Sequence, residues 1–207
     1  MKTTTEQEEF WQSQFGNEYT ERNRGDHWIA SNCAFFSKVL SHTNNVKSVL
    51  ELGSNLGLNL IAISKLLPKA ELSAVEINGQ AAAELKKNLP KVDLTVGSIL
   101  EYESKKKVDL AFTKVVMIHI NPDKLPLVYE ALYNSSTRYI LVAEYFNPAP
   151  TEVVYRGHSD KLFKRDFAGE MLKKYQDLKL VEYGFVYHDD PNFPQDDINW
   201  FLMEKKS

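Results

Sequence analysis

Apolar positions first fall into a repeating order at Val46. Val46 to Leu52 is short, β-branched-rich and almost wholly apolar, the composition of a strand covered on both faces. Leu56 to Leu67 then carries Leu56, Leu60, Ile63 and Leu67 at helical spacing, and Pro68 marks its end. Leu72 to Ile77 reads as a second strand, and Gly79 to Leu89 as a second helix stopped at Pro90. Val92 to Val96 and Val108 to Phe112 give strands three and four. Asn121-Pro122 supplies a cap and a first-turn proline for a helix over Leu125 to Tyr133, and Tyr139 to Glu144 is strand five. This alternation predicts an α/β fold, a Rossmann-like and mostly parallel sheet with right-handed crossovers and helices on both faces.

Two stretches break the rhythm. Leu178 to Tyr187 and Ile198 to Glu204 are strand-like, with only the polar loop His188 to Asp197 between them. They predict an antiparallel hairpin that ends the sheet and completes seven strands. Residues 1–45 precede the first strand and are rich in aromatics: Phe10, Trp11, Phe15, Tyr19, Trp28, Phe35 and Phe36. They read as a helical cap or lid, with a helix over Asn32 to Leu40, on a main domain spanning 46–207. No repeat or linker divides the chain, so one compact unit is expected.

Composition narrows the function. The 207 residues suit one domain, and a formal net charge of −3 gives no basic stripe for nucleic acid. The run Lys105-Lys106-Lys107 reads as a solvated turn. A lone Cys33 excludes an intramolecular disulfide and a multi-cysteine zinc site, and it fits a reducing compartment. The acidic N-terminus has no apolar core of signal-peptide type, and no run approaches about eighteen apolar residues. A cytoplasmic protein without membrane or nucleic-acid partners is expected; oligomeric state is left open.

The chemistry begins where strand one runs into the first helix, at Glu51-Leu52-Gly53-Ser54-Asn55-Leu56-Gly57. A strand that feeds a helix through such a turn points backbone N–H groups at a polar ligand. Glu76, nineteen residues beyond Gly57 at the tip of strand two, can take the two hydroxyls of a ribose. A dinucleotide site would need G-x-G-x-x-G, and a P-loop would need Gly-Lys-Ser/Thr; both are absent. A nucleoside-containing cofactor without a phosphate remains.

The pattern Glu51-x-Gly53-x-x-x-Gly57 resembles motif I of the class I S-adenosylmethionine-dependent methyltransferases, and Glu76 in Ala74-Val75-Glu76-Ile77-Asn78 matches their ribose-binding acid. Gly97-Ser98-Ile99 stands after strand three, where many relatives carry an Asp that accepts from the adenine amino group; Ser98 departs from that pattern. Further stretches narrow the likeness. They are Phe10-Trp11 with Phe15-Gly16-Asn17-Glu18-Tyr19, then Met117-Ile118-His119-Ile120-Asn121-Pro122, Ala143-Glu144-Tyr145-Phe146-Asn147-Pro148, Tyr155-Arg156-Gly157 and Lys164-Arg165-Asp166-Phe167. Together they are similar to the pseudaminic acid biosynthesis-associated methyltransferases, bacterial proteins linked to nonulosonic-acid and surface-glycan genes. The resemblance implies S-adenosyl-L-methionine as cofactor and S-adenosyl-L-homocysteine as product. It assigns to them Tyr19, Arg22, Glu51, Gly53, Ser54, Asn55, Gly57, Glu76, Ile77, Gly97, Ser98, Ile99 and Lys114.

The acceptor is expected to be a small polar molecule related to nonulosonic acids, other sugars or amines. His119 follows strand four, beside the motif I strand, and is the candidate general base, since its unperturbed pKa is roughly 6.5; a helix-capping or core role is the alternative. Glu144, Tyr155 and Arg156 complete the proposed acceptor machinery. Tyr155 and Arg156, with His158, Lys161, Lys164 and Arg165, suggest an anionic acceptor, because Arg suits bidentate carboxylate contacts. The other reading of this segment is an exposed amphipathic helix with solvated basic residues. Tyr19 and Arg22 would close over the cofactor. Asp189-Asp190 and Asp196-Asp197 lack a His or Cys at ligand spacing, so no metal is expected. The segment after strand four, Thr113-Lys114-Val115-Val116, lacks the Asn/Asp-Pro-Pro-Tyr/Phe tetrapeptide of nucleic-acid and glutamine methyltransferases. A catalytically inactive cofactor-binding module and a protein methyltransferase are the competing functions.

Overall fold

The computed structural model describes residues 4–22, 25–157 and 159–206, with the backbone alone at Arg22 and Asp26. Seven strands make one sheet: β1 (Ser48–Leu52), β2 (Glu71–Glu76), β3 (Asp93–Val96), β4 (Val108–Lys114), β5 (Ser136–Glu144), β8 (Leu178–Val186) and β9 (Ile198–Lys205). The order across it is β3-β2-β1-β4-β5-β9-β8. The first five run parallel, and β9 lies antiparallel to β5 and to β8. The sheet is thus Rossmann-like, with the C-terminal hairpin at one edge.

Alternation along the strands sorts the core into two layers. Val49, Leu110, Phe112, Leu141 and Trp200 pack under α3 (Asp26–Leu40), α4 (Leu58–Leu66) and α5 (Gly79–Asn88), against Phe36, Leu60, Ile63 and Leu85. Leu50, Ala111, Ile140, Val142 and Met203 pack on the other face, against Val128 and Leu132 of α6 (Leu125–Ser135) and Phe167 and Met171 of α7 (Phe167–Lys174). A central strand covered twice has no polar face to offer, which is why β1 and β4 read as continuous apolar runs.

The structure extends or replaces several expected elements. α3 begins at Asp26 rather than at Asn32, and its Phe35, Phe36 and Val39 belong to the sheet's core. Two further helices precede it, α1 (Glu6–Gln12) and α2 (Gln14–Arg22). α7 was not anticipated; Asp166 caps it by accepting from Gly169 N at 2.8 Å. The described residues from Asn147 to Asp166 form no helix. It holds a small antiparallel pair, β6 (Thr151–Glu152) with β7 (Phe163–Lys164). Pro148 and Pro150 lack the amide a helix needs, and Arg156, Gly157 and Asp160 take φ of 50°, 85° and 57°, a left-handed turn geometry.

Candidate active site

A cavity opens at the carboxyl ends of β1, β2, β3 and β4, where the strand order reverses between β1 and β4. Its empty space, open solvent at the mouth included, is about 1310 Å³. Its floor is the turn after β1. Gly53 has φ 81° and Gly57 φ 75°. A Cβ at Gly53 would stand 2.7 Å from Val116 Cγ2, and one at Gly57 2.8 Å from Leu85 Cγ. Both positions therefore exclude a side chain by conformation and by space.

Glu76 organises that floor. Its Oε2 accepts from Asn55 N at 2.6 Å and its Oε1 from Asn78 N at 2.8 Å, so one carboxylate holds the turns after β1 and β2. It is buried and lines the cavity. Burial raises its pKa, against the lowering by the amides it accepts from. A carboxylate offers about four acceptor positions, so two amides leave capacity for a ligand's hydroxyls. Ser54, Asn55, Ile77, Ser98 and Ile99 line the cavity beside it.

Other expected cofactor residues stand one step back. Glu51 shares the face of Val49 and is fully buried away from the cavity lining. Its Oε1 accepts from Asn59 Nδ2 at 2.6 Å, and its Oε2 has no partner. Burial first, eased by Asn59 and Lys114, leaves its pKa at about 8. Asn59 lines the cavity, so Glu51 reaches the site through Asn59. Gly97 ties β3 to β2 by donating its N–H to Glu76 O at 2.9 Å. Gly57 and Gly97 do not line the cavity; Lys114 does, its pKa lowered by burial and held up by Asp196 and Glu51.

After β4 the chain turns sharply. Val115 takes φ 58°, an uncommon conformation for a β-branched residue, and Met117–His119 form a 3₁₀ turn. The Glu144 carboxylate caps it from below, accepting from Val116 N at 3.0 and 3.1 Å, Met117 N at 3.0 Å and Ile118 N at 3.4 Å. Burial raises the Glu144 pKa to about 7 against those donors. Glu144 does not line the cavity. The turn carries His119 into it, where the ring packs on Trp11 at 4.6 Å and Tyr155 at 5.1 Å. His119 Nδ1 lies 2.7 Å from Lys161 O, so it carries the ring proton and Nε2 is the acceptor. Burial holds its pKa down at about 4, so the imidazole is neutral near pH 7.

α1 and α2 cover the cavity, fastened by side-chain hydrogen bonds to the turns at the strand tips. Ser98 Oγ bonds the Glu8 carboxylate, Asn78 Nδ2 donates to Trp11 O at 3.2 Å and Asn17 Oδ1 at 2.8 Å, and Thr20 Oγ1 donates to Asn55 Oδ1 at 3.0 Å. Tyr19 lines the cavity with its ring against Trp11 at 5.1 Å. The Arg22 side chain and His158 lie outside the described residues. Glu8, Gln7, Trp11, Asn32, Asn59 and Asp196 also line the cavity, and none was anticipated as a site residue. For Gln7, Glu8, Trp11 and Asn32 the hint in the sequence was the aromatic density of the N-terminal stretch.

The remaining basic candidates do not gather at the cavity. Arg156 is exposed, 5.8 Å over the Tyr155 ring; Lys161 Nζ pairs with Glu6 at 3.7 Å, and Arg165 Nε pairs with Glu170 at 2.6 Å. Lys164 lies 5.2 Å over the Tyr145 ring. Among the described residues no group of three or more His, Cys, Asp or Glu is placed to hold a metal ion, and no helix is long and apolar enough to cross a membrane.

No protein-family model matches this chain, and no curated protein matches it. Solved structures do. A plantazolicin methyltransferase, BpumL, in complex with S-adenosylhomocysteine aligns at TM-score 0.68 and 15% identity, over 97% of this chain and 94% of its own. The amino pentose methyltransferase CalS10 from Micromonospora echinaspora, bound to S-adenosylmethionine, aligns at TM-score 0.65 and 10% identity, over 94% and 97%. Magnesium protoporphyrin IX methyltransferase from Synechocystis PCC 6803, also with S-adenosylmethionine bound, aligns at TM-score 0.67 and 11% identity over 100% of both chains. At these identities the shared feature is the fold, the Rossmann-like fold of class I methyltransferases.

Proposed function

We propose that this chain is an S-adenosylmethionine-dependent methyltransferase acting on a small polar acceptor. The observation that carries the reading is Glu76, a buried strand-tip carboxylate that faces the cavity beside two glycines whose Cβ positions are blocked. The fit to the cofactor is good on this chain's own residues. Glu76 would take the ribose hydroxyls, and the Gly53–Gly57 turn would let the backbone approach the methionine portion. Ile77, Ser98 and Ile99 would meet the adenine, and Lys114, the basic residue that lines the cavity, would meet the methionine carboxylate. When bound, the cofactor supplies a methyl group on a sulfonium that is already a good leaving group.

The chain therefore needs chiefly to orient an acceptor and exclude water. α1 and α2 close the cavity over the strand tips, and His119 offers a neutral Nε2 at its wall. Glu144 holds the turn that positions His119, so its part is positioning rather than contact. The solved structures of like fold include enzymes named for an amino pentose and for a porphyrin, which supports a small-molecule acceptor. The sequence likeness to the pseudaminic acid-associated family favours a sugar-related or amine intermediate of surface-glycan metabolism, made in the cytoplasm.

Isothermal titration with S-adenosylmethionine tests the reading. The wild-type chain is expected to bind it, and Glu76→Ala to lose roughly tenfold or more, since a hydrogen bond to a charged group contributes about 1.5–3 kcal/mol. Unchanged affinity in Glu76→Ala would sink the ribose assignment, and no binding by the wild type would sink the function.

A further inference from the structure

Two side chains that line the cavity each donate a hydrogen bond to the same short strap. Gln7 Nε2 donates to Asp160 O at 3.0 Å, and His119 Nδ1 donates to Lys161 O at 2.7 Å. Asp160 and Lys161 are consecutive, so the two side chains are drawn together from the lid and from the turn after β4. Each then presents an acceptor. Gln7 is 5% exposed, lines the cavity, and its Oε1 has no partner. His119 lines the cavity with Nε2 bare. Trp11, four residues after Gln7 and so on the same helical face, packs at a tilt on the His119 ring at 4.6 Å, and Tyr155 meets that ring at 5.1 Å.

Gln7 Oε1 is a buried, unpaired acceptor, which costs free energy until a donor meets it, and His119 lines the same cavity. We propose that this corner is the acceptor subsite of the methyltransferase, and that it takes a primary amine whose two N–H groups donate to Gln7 Oε1 and His119 Nε2. A hydroxyl carries one hydrogen and would leave one acceptor unmet. An alcohol must also lose its proton during transfer, and an imidazole whose pKa is held at about 4 is a poor base for it. An amine that enters in its neutral form, its ammonium proton left in bulk water beforehand, needs no such base. Its lone pair forms the N–C bond while the S–C bond breaks and its electrons return to sulfur; the methylammonium product then releases a proton to water. Arg156, Lys161 and Arg165, exposed or paired elsewhere, contribute no opposing preference for an anion.

The inference rests on the methyltransferase reading, and the experiment separates the two. The full chain is loaded with S-adenosylhomocysteine and titrated with glucosamine against glucose, and with benzylamine against benzyl alcohol. His119 ring and Trp11 indole resonances are followed by NMR. Expected is a saturable shift with at least one amine, about tenfold stronger than with its hydroxyl counterpart. Gln7→Met should weaken the amine about tenfold and retain S-adenosylhomocysteine affinity, which also shows that the variant folds. Equal response to amine and alcohol overturns the proposal, as does no response to either amine in the loaded protein. A Gln7→Met loss confined to S-adenosylhomocysteine affinity also overturns it, because Oε1 would then serve the cofactor's adenine amino group. Failure of S-adenosylhomocysteine to bind the wild type overturns the parent reading as well.

Discussion

Glu51 and Glu76 end neighbouring strands, yet they do different work. Glu76 faces the cavity and is met by two amides, whereas Glu51 turns into the core with one oxygen unpartnered. Burial lifts Glu51 from 4.5 to about 8, so the folded chain holds that proton where the unfolded chain has lost it. The sign follows from linkage: the native state binds more protons, so stability is fully present below about pH 4.5 and is lost as pH rises towards 8. Thermal melts of the wild type should fall between pH 5 and 8.5, and Glu51→Gln should remove a large part of that fall. A wild-type melting temperature that rises across this range would contradict the assignment. The sequence made both acids visible as strand-tip carboxylates. It could not separate their roles, because which oxygen meets Asn59 or the cavity depends on helices packed from elsewhere.

The lid helices show where local sequence stops being informative. α1 carries its own start signal, Thr5 with Glu8 three residues later, and both halves of this capping box are formed. The same Glu8 also bonds Ser98, at the tip of β3. The adenine-side serine that departed from the family pattern is thus met by a carboxylate ninety residues away in sequence. Ser98→Ala should free α1 while leaving the sheet intact. The expected readout is hydrogen exchange in residues 6–12 about tenfold faster, with β1 and β4 unchanged, in line with about 1.5–3 kcal/mol for a bond to a charged group. Unchanged protection of α1 would show that the remaining contacts, among them Trp11 and Asn17 to Asn78 and Gln7 to Asp160, hold the lid without Ser98. The 147–166 segment gives the opposite lesson. Its left-handed turn at Arg156, Gly157 and Asp160 appears only in the fold, and its charged and aromatic content drew attention to an anion site, whereas Arg156 is exposed and Lys161 and Arg165 pair with Glu6 and Glu170.

Across the whole molecule, the sheet gains its last two strands from the C-terminus, with β9 inserted between β5 and β8. Trp200 and Leu202 of β9 are fully buried beside Leu141, so this insertion completes the core layer under α3. Leu202→Ala should cost about 2–5 kcal/mol of stability, read as a lower urea midpoint. Tyr183→Ala on the edge strand β8, at 63% exposure, should change it by less than about 0.5 kcal/mol. Equal effects would mean that β9 is not part of the cooperative core.

The sequence by itself determined the alternation of strands and helices, the tight turn at Gly53 and Gly57, and the acid at the tip of β2. Each is fixed within a few residues, by side-chain period, backbone conformation or strand length. Only the tertiary structure decided that α1 and α2 lie across the strand tips, that Glu51 and Glu144 support the site from beneath, and that Gln7 and His119 share one strap. Those contacts join residues far apart in the chain. They are set by which faces the core leaves exposed and which polar atoms burial leaves unpaired, and no local pattern records either.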